Sequence, residues 1–193
     1  MEKFCSFLTS KLVQNKVIVI DDYNIYKYGF EALFSTLLGI LTAFVIGLLT
    51  QRLLWVAVFF ACFASLRSQC GGYHAKTVLR CKLSFGTAIF LNIFFTYLTR
   101  DMDMLFGLPL FVIGLGVIIA LAPADREDKD MDQSEKRKHK ILSLIIFALW
   151  TAAGVIMYFN APEFFWVIGW AIFSASALLL FNYFYTRRKK HEA

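Results

Sequence analysis

The sequence is poor in the residues that interrupt helices and poor in charge. Only three prolines and eleven glycines occur among its 193 residues, and 18% of the residues are charged. By contrast, 59% are hydrophobic, and aromatic residues account for 17%. A soluble domain of this length needs far more polar surface to cover its core. The composition therefore excludes an ordinary soluble globular protein.

Long uncharged runs account for this imbalance. Most are long enough to cross a hydrocarbon layer of about 30 Å at about 1.5 Å per residue. Because backbone polar groups in lipid must bond to one another, these runs should be helices. The sequence thus predicts an all-α integral membrane protein with six transmembrane helices. The six runs are Ala32–Gln51, Leu53–Leu66, Leu83–Thr99, Met104–Ala124, Ile141–Pro162 and Phe164–Thr186.

The basic residues are distributed unevenly between the segments that join these runs. Eighteen of the twenty Lys and Arg residues lie before the first run, in the second and fourth loops, or in the C-terminal tail. Only Arg52 and Arg100 lie elsewhere. This asymmetry predicts that both termini and the even-numbered loops are cytoplasmic. The asymmetry also explains the net charge of +6 without a nucleic-acid partner. The same orientation places most of the four cysteines on or near the reducing side of the membrane, which argues against a disulfide framework.

The N-terminal residues suit a helix that lies in the membrane interface. Phe4, Phe7, Leu8 and Leu12 share one helical face, a pattern typical of interfacial helices. A helix packed against the rest of the bundle would show the same pattern. We therefore expect one domain, 1–193, with an interfacial amphipathic N-terminal region at 1–28 and a basic cytoplasmic loop at 125–140. The interruption of the first apolar stretch by Lys11 does not match a cleavable signal peptide.

The second loop, 67–82, holds the best candidate for chemistry. From Arg67 to Cys81 it reads RSQCGGYHAKTVLRC, with a histidine and two cysteines. A cysteine nucleophile needs a thiolate, which an imidazole and nearby cations favour. Cys81 lies between Arg80 and Lys82, and His74 supplies the imidazole. The preceding run of fourteen residues spans only about 21 Å as a helix, so we expect this loop to be partly submerged in the bilayer.

The spacing of the loop residues indicates a break in the helix. Arg67, His74 and Cys81 are each seven residues apart, so they would share a face of a continuous helix. Seven residues rise about 10.5 Å, which leaves the imidazole barely in reach of the sulfur. The glycine pair at 71–72 favours a bend just before His74.

Two alternatives remain open for this loop from its residues alone. In the first, the histidine and the cysteine are loop residues without a chemical role. Alternatively, Cys70, His74 and Cys81 are three donors of the kind that bind zinc, but no fourth ligand is evident nearby. We therefore expect no metal and no cofactor.

The same loop resembles the accessory gene regulator protein B (AgrB) family. An arginine, a glycine-rich stretch with histidine, and a cysteine seven residues after the histidine match its pattern. The resemblance extends over the whole chain and includes LAPADREDKD at 121–130, where many members have a proline in place of Asp130.

The resemblance implies a bacterial membrane cysteine endopeptidase with His74 and Cys81 as catalytic residues. Such proteins cleave the C-terminal tail of an AgrD-type precursor peptide through a thioester and promote closure of a thiolactone ring in the quorum-sensing peptide. It also implies a homodimer, and it matches Arg67 and Gly72 to functional positions. The absence of a nucleotide-binding motif fits a thioester exchange that is close to isoenergetic.

Two further assignments in the sequence rest on chemistry alone. Gln69 is a candidate donor to the oxyanion. The run that contains Lys136, Arg137 and Lys138 suits an acidic precursor tail, or anionic lipid. The competing classes of function are a small transporter or channel and a non-catalytic membrane scaffold.

Overall fold

The chain folds into helices joined by short connections. A computed structural model describes residues 2–71, 78–123 and 132–192, and these residues form no β-strand. A 3₁₀ turn at Ile20–Asp22 precedes α2. The α-helices are α1 (Glu2–Gln14), α2 (Tyr23–Leu49), α3 (Leu53–Cys70), α4 (Val78–Thr99), α5 (Met104–Leu121), α6 (Gln133–Tyr158) and α7 (Pro162–Glu192).

Five of these helices are long and apolar enough to cross a membrane. They are the helical segment that includes α2, together with α3, α5, α6 and α7. The apolar part of α4 covers Ser84–Thr99, which is about 24 Å at about 1.5 Å per residue and falls short of a bilayer core. The prediction of an all-helical membrane protein is therefore confirmed, whereas the count of six spans stays a prediction.

Several helix boundaries differ from those that the sequence predicted, and two of these lie at the predicted cytoplasmic loops. Helix α3 continues to Cys70 rather than stopping at Leu66, so it has 18 residues and spans about 27 Å. Helix α6 begins at Gln133, within the expected loop. In both cases a helix continues through charged residues, because its backbone bonds are satisfied locally whatever the side chains face.

The chain divides into two compact units, Met1–Thr42 and Ala43–Ala193. In the first unit, the rings of Phe4 and Phe34 meet edge to face with centroids 5.5 Å apart. The buried side chains of α1 are Cys5 and Thr9, while Phe4 and Phe7 are about half exposed. An exposed pair of phenylalanines is compatible with the interfacial helix that the sequence predicted, and that placement in a membrane stays a prediction.

In the second unit, α7 packs against four other helices, α3, α4, α5 and α6. Its first three turns supply six residues of the buried core: Phe165, Trp166, Val167, Ile168, Ala171 and Ile172. Helix α4 is attached to α7 by polar contacts as well as apolar ones. The Asn92 amide donates to the Val167 carbonyl over 3.0 Å, and the Trp170 indole donates to the Thr99 hydroxyl over 3.2 Å.

Glycines allow α5 to approach α7 closely. A Cβ added at Gly114 would lie 2.5 Å from Ile172 Cγ2, and one at Gly107 would lie 2.4 Å from the Phe165 ring. The two glycines and the two side chains they face are both seven residues apart, so the contact repeats after two helical turns. Small residues at such contacts are the usual basis of helix association in lipid, where van der Waals packing replaces the hydrophobic effect.

We predict that Gly114→Ala destabilises the protein, whereas Gly116→Ala does not. The added methyl at position 114 collides with a β-branched side chain, and overpacking of this kind costs about 1–3 kcal/mol. At Gly116 nothing lies within 4 Å, and alanine is favoured over glycine in a helix by about 1 kcal/mol. Melting of the two purified variants in the same detergent measures the difference. Equal melting temperatures would show that α5 and α7 do not pack through Gly114.

Candidate active site

Helix α3 ends at Cys70, directly before the glycine pair at which the sequence predicted a bend. Gly71 has φ 73° and ψ −161°, and its N–H donates to the Arg67 carbonyl. Residues with a side chain rarely adopt a positive φ, so a glycine at this position allows the chain to leave the helix abruptly. The last turn of α3 thus holds Arg67, Gln69 and Cys70, directly before the segment that contains His74.

Aromatic contacts bring the end of α3 next to the beginning of α4. The Phe85 ring lies 5.9 Å from that of Phe63 and 5.8 Å from that of Phe60, between centroids. Arg67 lies one helical turn after Phe63, and Cys81 lies one turn before Phe85. Both positions lie between these ring contacts and the connection that joins the two helices, so they are at the same end of the α3–α4 pair.

The structure describes some of the predicted site residues and not others. Cys81 is the fourth residue of α4, so its backbone belongs to the first helical turn; its side chain lies outside the described residues. Gly72 and His74 lie there too, so the contact between His74 and Cys81 stays a prediction. Arg67 is half-buried, with its guanidinium carbon 5.8 Å from the Phe63 ring centroid.

Polar contacts join the end of α3 to α6. His139 Nδ1 lies 2.9 Å from Gln69 Oε1, and the Cys70 thiol is hydrogen-bonded with the Ser143 side chain. Ser143 also donates to the carbonyl of His139 over 2.8 Å. Deeper along the same pair of helices, the Trp150 indole donates to Ser65 over 2.9 Å. The last turn of α3 is therefore held by side chains of α6.

These contacts distinguish Cys70 from a reactive thiol. Cys70 is 4% exposed and packs between α3 and α6. A nucleophilic cysteine has to be reached by its substrate, whereas a buried thiol in an apolar setting is usually inert. Although Cys70 is only four residues from His74, its position fits a packing role.

The basic run lies at the beginning of α6 rather than in a loop. Lys136, Arg137 and Lys138 belong to the first two turns, and Arg137 and Lys138 are exposed. The helix begins with a side-chain cap: Asp132 Oδ1 accepts from the Gln133 N–H over 2.7 Å, and Oδ2 accepts from Ser134 over 2.8 Å. The hydrogen bond from Ser134, followed by that from Gln133, lowers the pKa of Asp132 below its usual value.

Sequence reasoning missed His139 and Ser143. The available signal was weak: His139 is one of three histidines and lies inside a run of cations, a pattern that reads as a solvated helix face. Its proximity to Gln69 depends on how α3 and α6 pack. That packing leaves no trace in local sequence.

The fold is that of a helical membrane protein with several spans. In it, the beginning of α4, which carries Cys81, lies next to the end of α3, which is followed by Gly71. The chain matches the model of the accessory gene regulator B (AgrB) family over residues 5–181, and it belongs to that family. It is also similar to an AgrB-like protein of Clostridium perfringens (strain SM101 / Type A), with 29% identity over 181 residues, or 84% of this chain and 80% of that protein. No solved structure matches the chain.

Membership of this family indicates the general function of the chain. AgrB proteins take part in processing the peptides of agr quorum sensing, and the family is generally associated with peptidase activity. The long apolar helices agree with a location in the membrane.

We predict that Asp132→Ala loosens the first turn of α6, whereas Asp103→Ala leaves the first turn of α5 unchanged. Both aspartates are N-caps, but the side chain of Asp103 makes no capping hydrogen bond. Amide hydrogen exchange of residues 133–136 should therefore quicken in the first variant, whereas exchange of residues 104–107 should stay at the wild-type rate in the second. Because the folded-state pKa of Asp132 is depressed, its capping contribution is present above the unfolded pKa and disappears as the pH falls through the folded value. Equal exchange in both variants would contradict the assigned cap.

Proposed function

We propose that this chain is a membrane cysteine endopeptidase that removes the C-terminal tail of an AgrD-type precursor peptide. Cleavage proceeds through a thioester on Cys81, and the enzyme promotes cyclisation of the remaining peptide to a thiolactone. The observation that carries this proposal is family membership over residues 5–181, which covers both His74 and Cys81.

The backbone positions support Cys81 as the nucleophile. It belongs to the first turn of α4, where the positive end of the helix dipole and unpaired backbone N–H groups favour an anionic sulfur. In sequence it lies between Arg80 and Lys82, which add to that potential. Cys70, the competing thiol, is buried against α6. Of the two cysteines near His74, Cys81 is thus the better candidate.

The proposed reaction proceeds in two transfers of an acyl group. The Cys81 sulfur attacks the scissile carbonyl while His74 accepts the thiol proton, and His74 then gives that proton to the departing amine. The tail leaves with a free amino group, and the retained part of the precursor remains on Cys81 as a thioester. A cysteine of the precursor attacks this thioester, its proton passes to Cys81, and the thiolactone is released.

The surrounding residues are assigned to binding of the precursor. Arg67 lies at the same end of the α3–α4 pair as Cys81, where a guanidinium can hold a carboxylate through two hydrogen bonds. Arg137 and Lys138 are exposed at the beginning of α6 and suit an acidic peptide tail, with Lys136 beside them. Gly72, the second glycine of the pair in the sequence, is assigned to the same part of the site. Gln69 has amide hydrogens that suit an oxyanion.

The membrane setting completes the proposal. Both termini are assigned to the cytoplasmic side of a bacterial membrane, which brings the site to the leaflet where an amphipathic precursor lies. The N-terminal helix, with Phe4 and Phe7 exposed, is assigned to the lipid interface. We propose that the enzyme acts as a homodimer.

We predict that Cys81→Ala abolishes cleavage and Cys70→Ala retains most of it. The two substitutions are chemically identical, so the comparison isolates position. His74→Ala should lower the rate by about 10² to 10⁴, the usual contribution of a general base. Each variant is reconstituted in vesicles with the precursor, and fragments are quantified by mass spectrometry. Cleavage by Cys81→Ala at the wild-type rate would contradict the proposal, and a transporter or scaffold would release no fragment at all.

The orientation predicts a pattern of thiol accessibility. Cysteines introduced at Lys76 and Arg137 should be protected from an impermeant reagent in intact cells and react after lysis, whereas those at Asp101 and Glu163 should react from outside. The reason is the distribution of Lys and Arg among the loops. Labelling of position 76 in intact cells would reverse the topology and place the site on the wrong face of the membrane.

A further inference from the structure

We propose that His139 is a positioning residue of the peptidase site, which holds Gln69 and thereby fixes the direction in which the chain leaves α3 toward His74. This inference rests on the proposed function for its catalytic consequence. It adds a residue on a different helix, 70 positions away in sequence from the residue it holds.

The chemistry of the two side chains sets the direction of the hydrogen bond. Gln69 Oε1 only accepts, so His139 Nδ1, 2.9 Å away, carries the hydrogen. The other end of the amide, Nε2, lies 3.3 Å from the Ser68 hydroxyl, which agrees with this orientation. His139 thus orients the amide of Gln69 and leaves its donor end directed away from α6.

The hydrogen bond between His139 and Gln69 lies close to Gly71, where a small rotation of the backbone changes the direction in which the chain leaves α3. Gly71 follows Gln69 by two residues and has the permissive positive φ, so the backbone itself does little to restrain the exit direction. The segment that contains His74 follows Gly71 directly in the sequence, so a displacement of the end of α3 also displaces the start of that segment. Misplacement of a catalytic group by about 1 Å can lower a rate by about 10².

Neighbouring contacts between α3 and α6 restrain the hydrogen-bonded pair of His139 and Gln69. Cys70 is buried and hydrogen-bonded with Ser143, and Ser143 is in turn bonded to the carbonyl of His139. The imidazole is therefore carried by a turn of α6 that is itself held against α3. Removing the Gln69 contact should release the end of α3 without separating the two helices.

The chain offers a matched control for simple helix attachment. Ser65 accepts from the Trp150 indole over 2.9 Å, and it lies four residues before Gln69 on the same helix. Ser65→Ala removes a hydrogen bond between α3 and α6 but leaves the exit from α3 untouched. A positioning role predicts that only His139 affects catalysis.

The test compares three variants of the full chain in vesicles: His139→Phe, His139→Asn and Ser65→Ala. Asparagine places an amide N–H near the position of Nδ1, whereas phenylalanine keeps the ring without a donor. For cleavage of the precursor, His139→Phe should lower kcat by about 10-fold to 10²-fold with KM within about twofold, and His139→Asn should recover most of kcat. Ser65→Ala should stay within about twofold of the wild type. Hydrogen exchange of amides 68–71 should quicken in the phenylalanine variant alone.

The outcomes separate this inference from the proposed function. Wild-type kcat and unchanged exchange in His139→Phe would overturn the positioning role, as would an equal loss in Ser65→Ala. A change in KM alone would overturn it too, because it would assign His139 to substrate binding. If the wild-type protein cuts no precursor, the proposed function fails, and the exchange of amides 68–71 still decides whether His139 holds the end of α3.

Discussion

In the second unit, the packing of α7 against four other helices is the interaction from which the other positions follow. Lipid is as apolar as a leucine side chain, so helices in a membrane gain little from hiding apolar surface from one another. They associate instead through close contact and a few polar bonds. Gly107 and Gly114 provide the close contact with α5, and Asn92 provides a polar bond between α4 and α7.

That packing determines where the candidate site lies. Helices α3 and α4 both pack against α7 and against each other, and Phe85 contacts three phenylalanines of α3. The end of α3 and the beginning of α4 are thereby held side by side. Helix α6 adds polar contacts at the last turn of α3 through His139 and Ser143. Helices α3, α4 and α6 thus surround the candidate site. His74 follows α3 in the sequence, and Cys81 lies in the first turn of α4.

The sequence predicted the features that depend on local composition. Uncharged runs identified the helical membrane protein, and the glycine pair indicated a bend before His74, although α3 continues to Cys70 rather than ending at Leu66. Boundaries in charged stretches were less predictable, because α6 begins at Gln133, well before its apolar run at Ile141. An N-capping residue such as Asp132 indicates the start of a helix. The many charged residues around it indicate a loop instead, so the two signals conflict.

Within the candidate site, the sequence shows which residue types are present, but it does not show which residues lie close together. A histidine and a cysteine in one loop are visible in sequence, and so is a family pattern. Burial of Cys70 and its bond with Ser143 depend on tertiary packing. The same is true of the contact between Gln69 and His139, which joins residues on two helices far apart in the chain. For this reason the sequence alone left Cys70 as a geometric competitor of Cys81.

The central claim is that the precursor becomes attached to Cys81, and trapping that adduct tests it most directly. The wild-type enzyme in vesicles is mixed with a precursor in which the cyclising cysteine is replaced by alanine, so the thioester has no internal acceptor. Acid quenching, digestion and mass spectrometry then locate the attached fragment. The account predicts an adduct on the peptide containing Cys81 that hydroxylamine removes. An adduct on Cys70, or cleavage with no adduct on either cysteine, would contradict it.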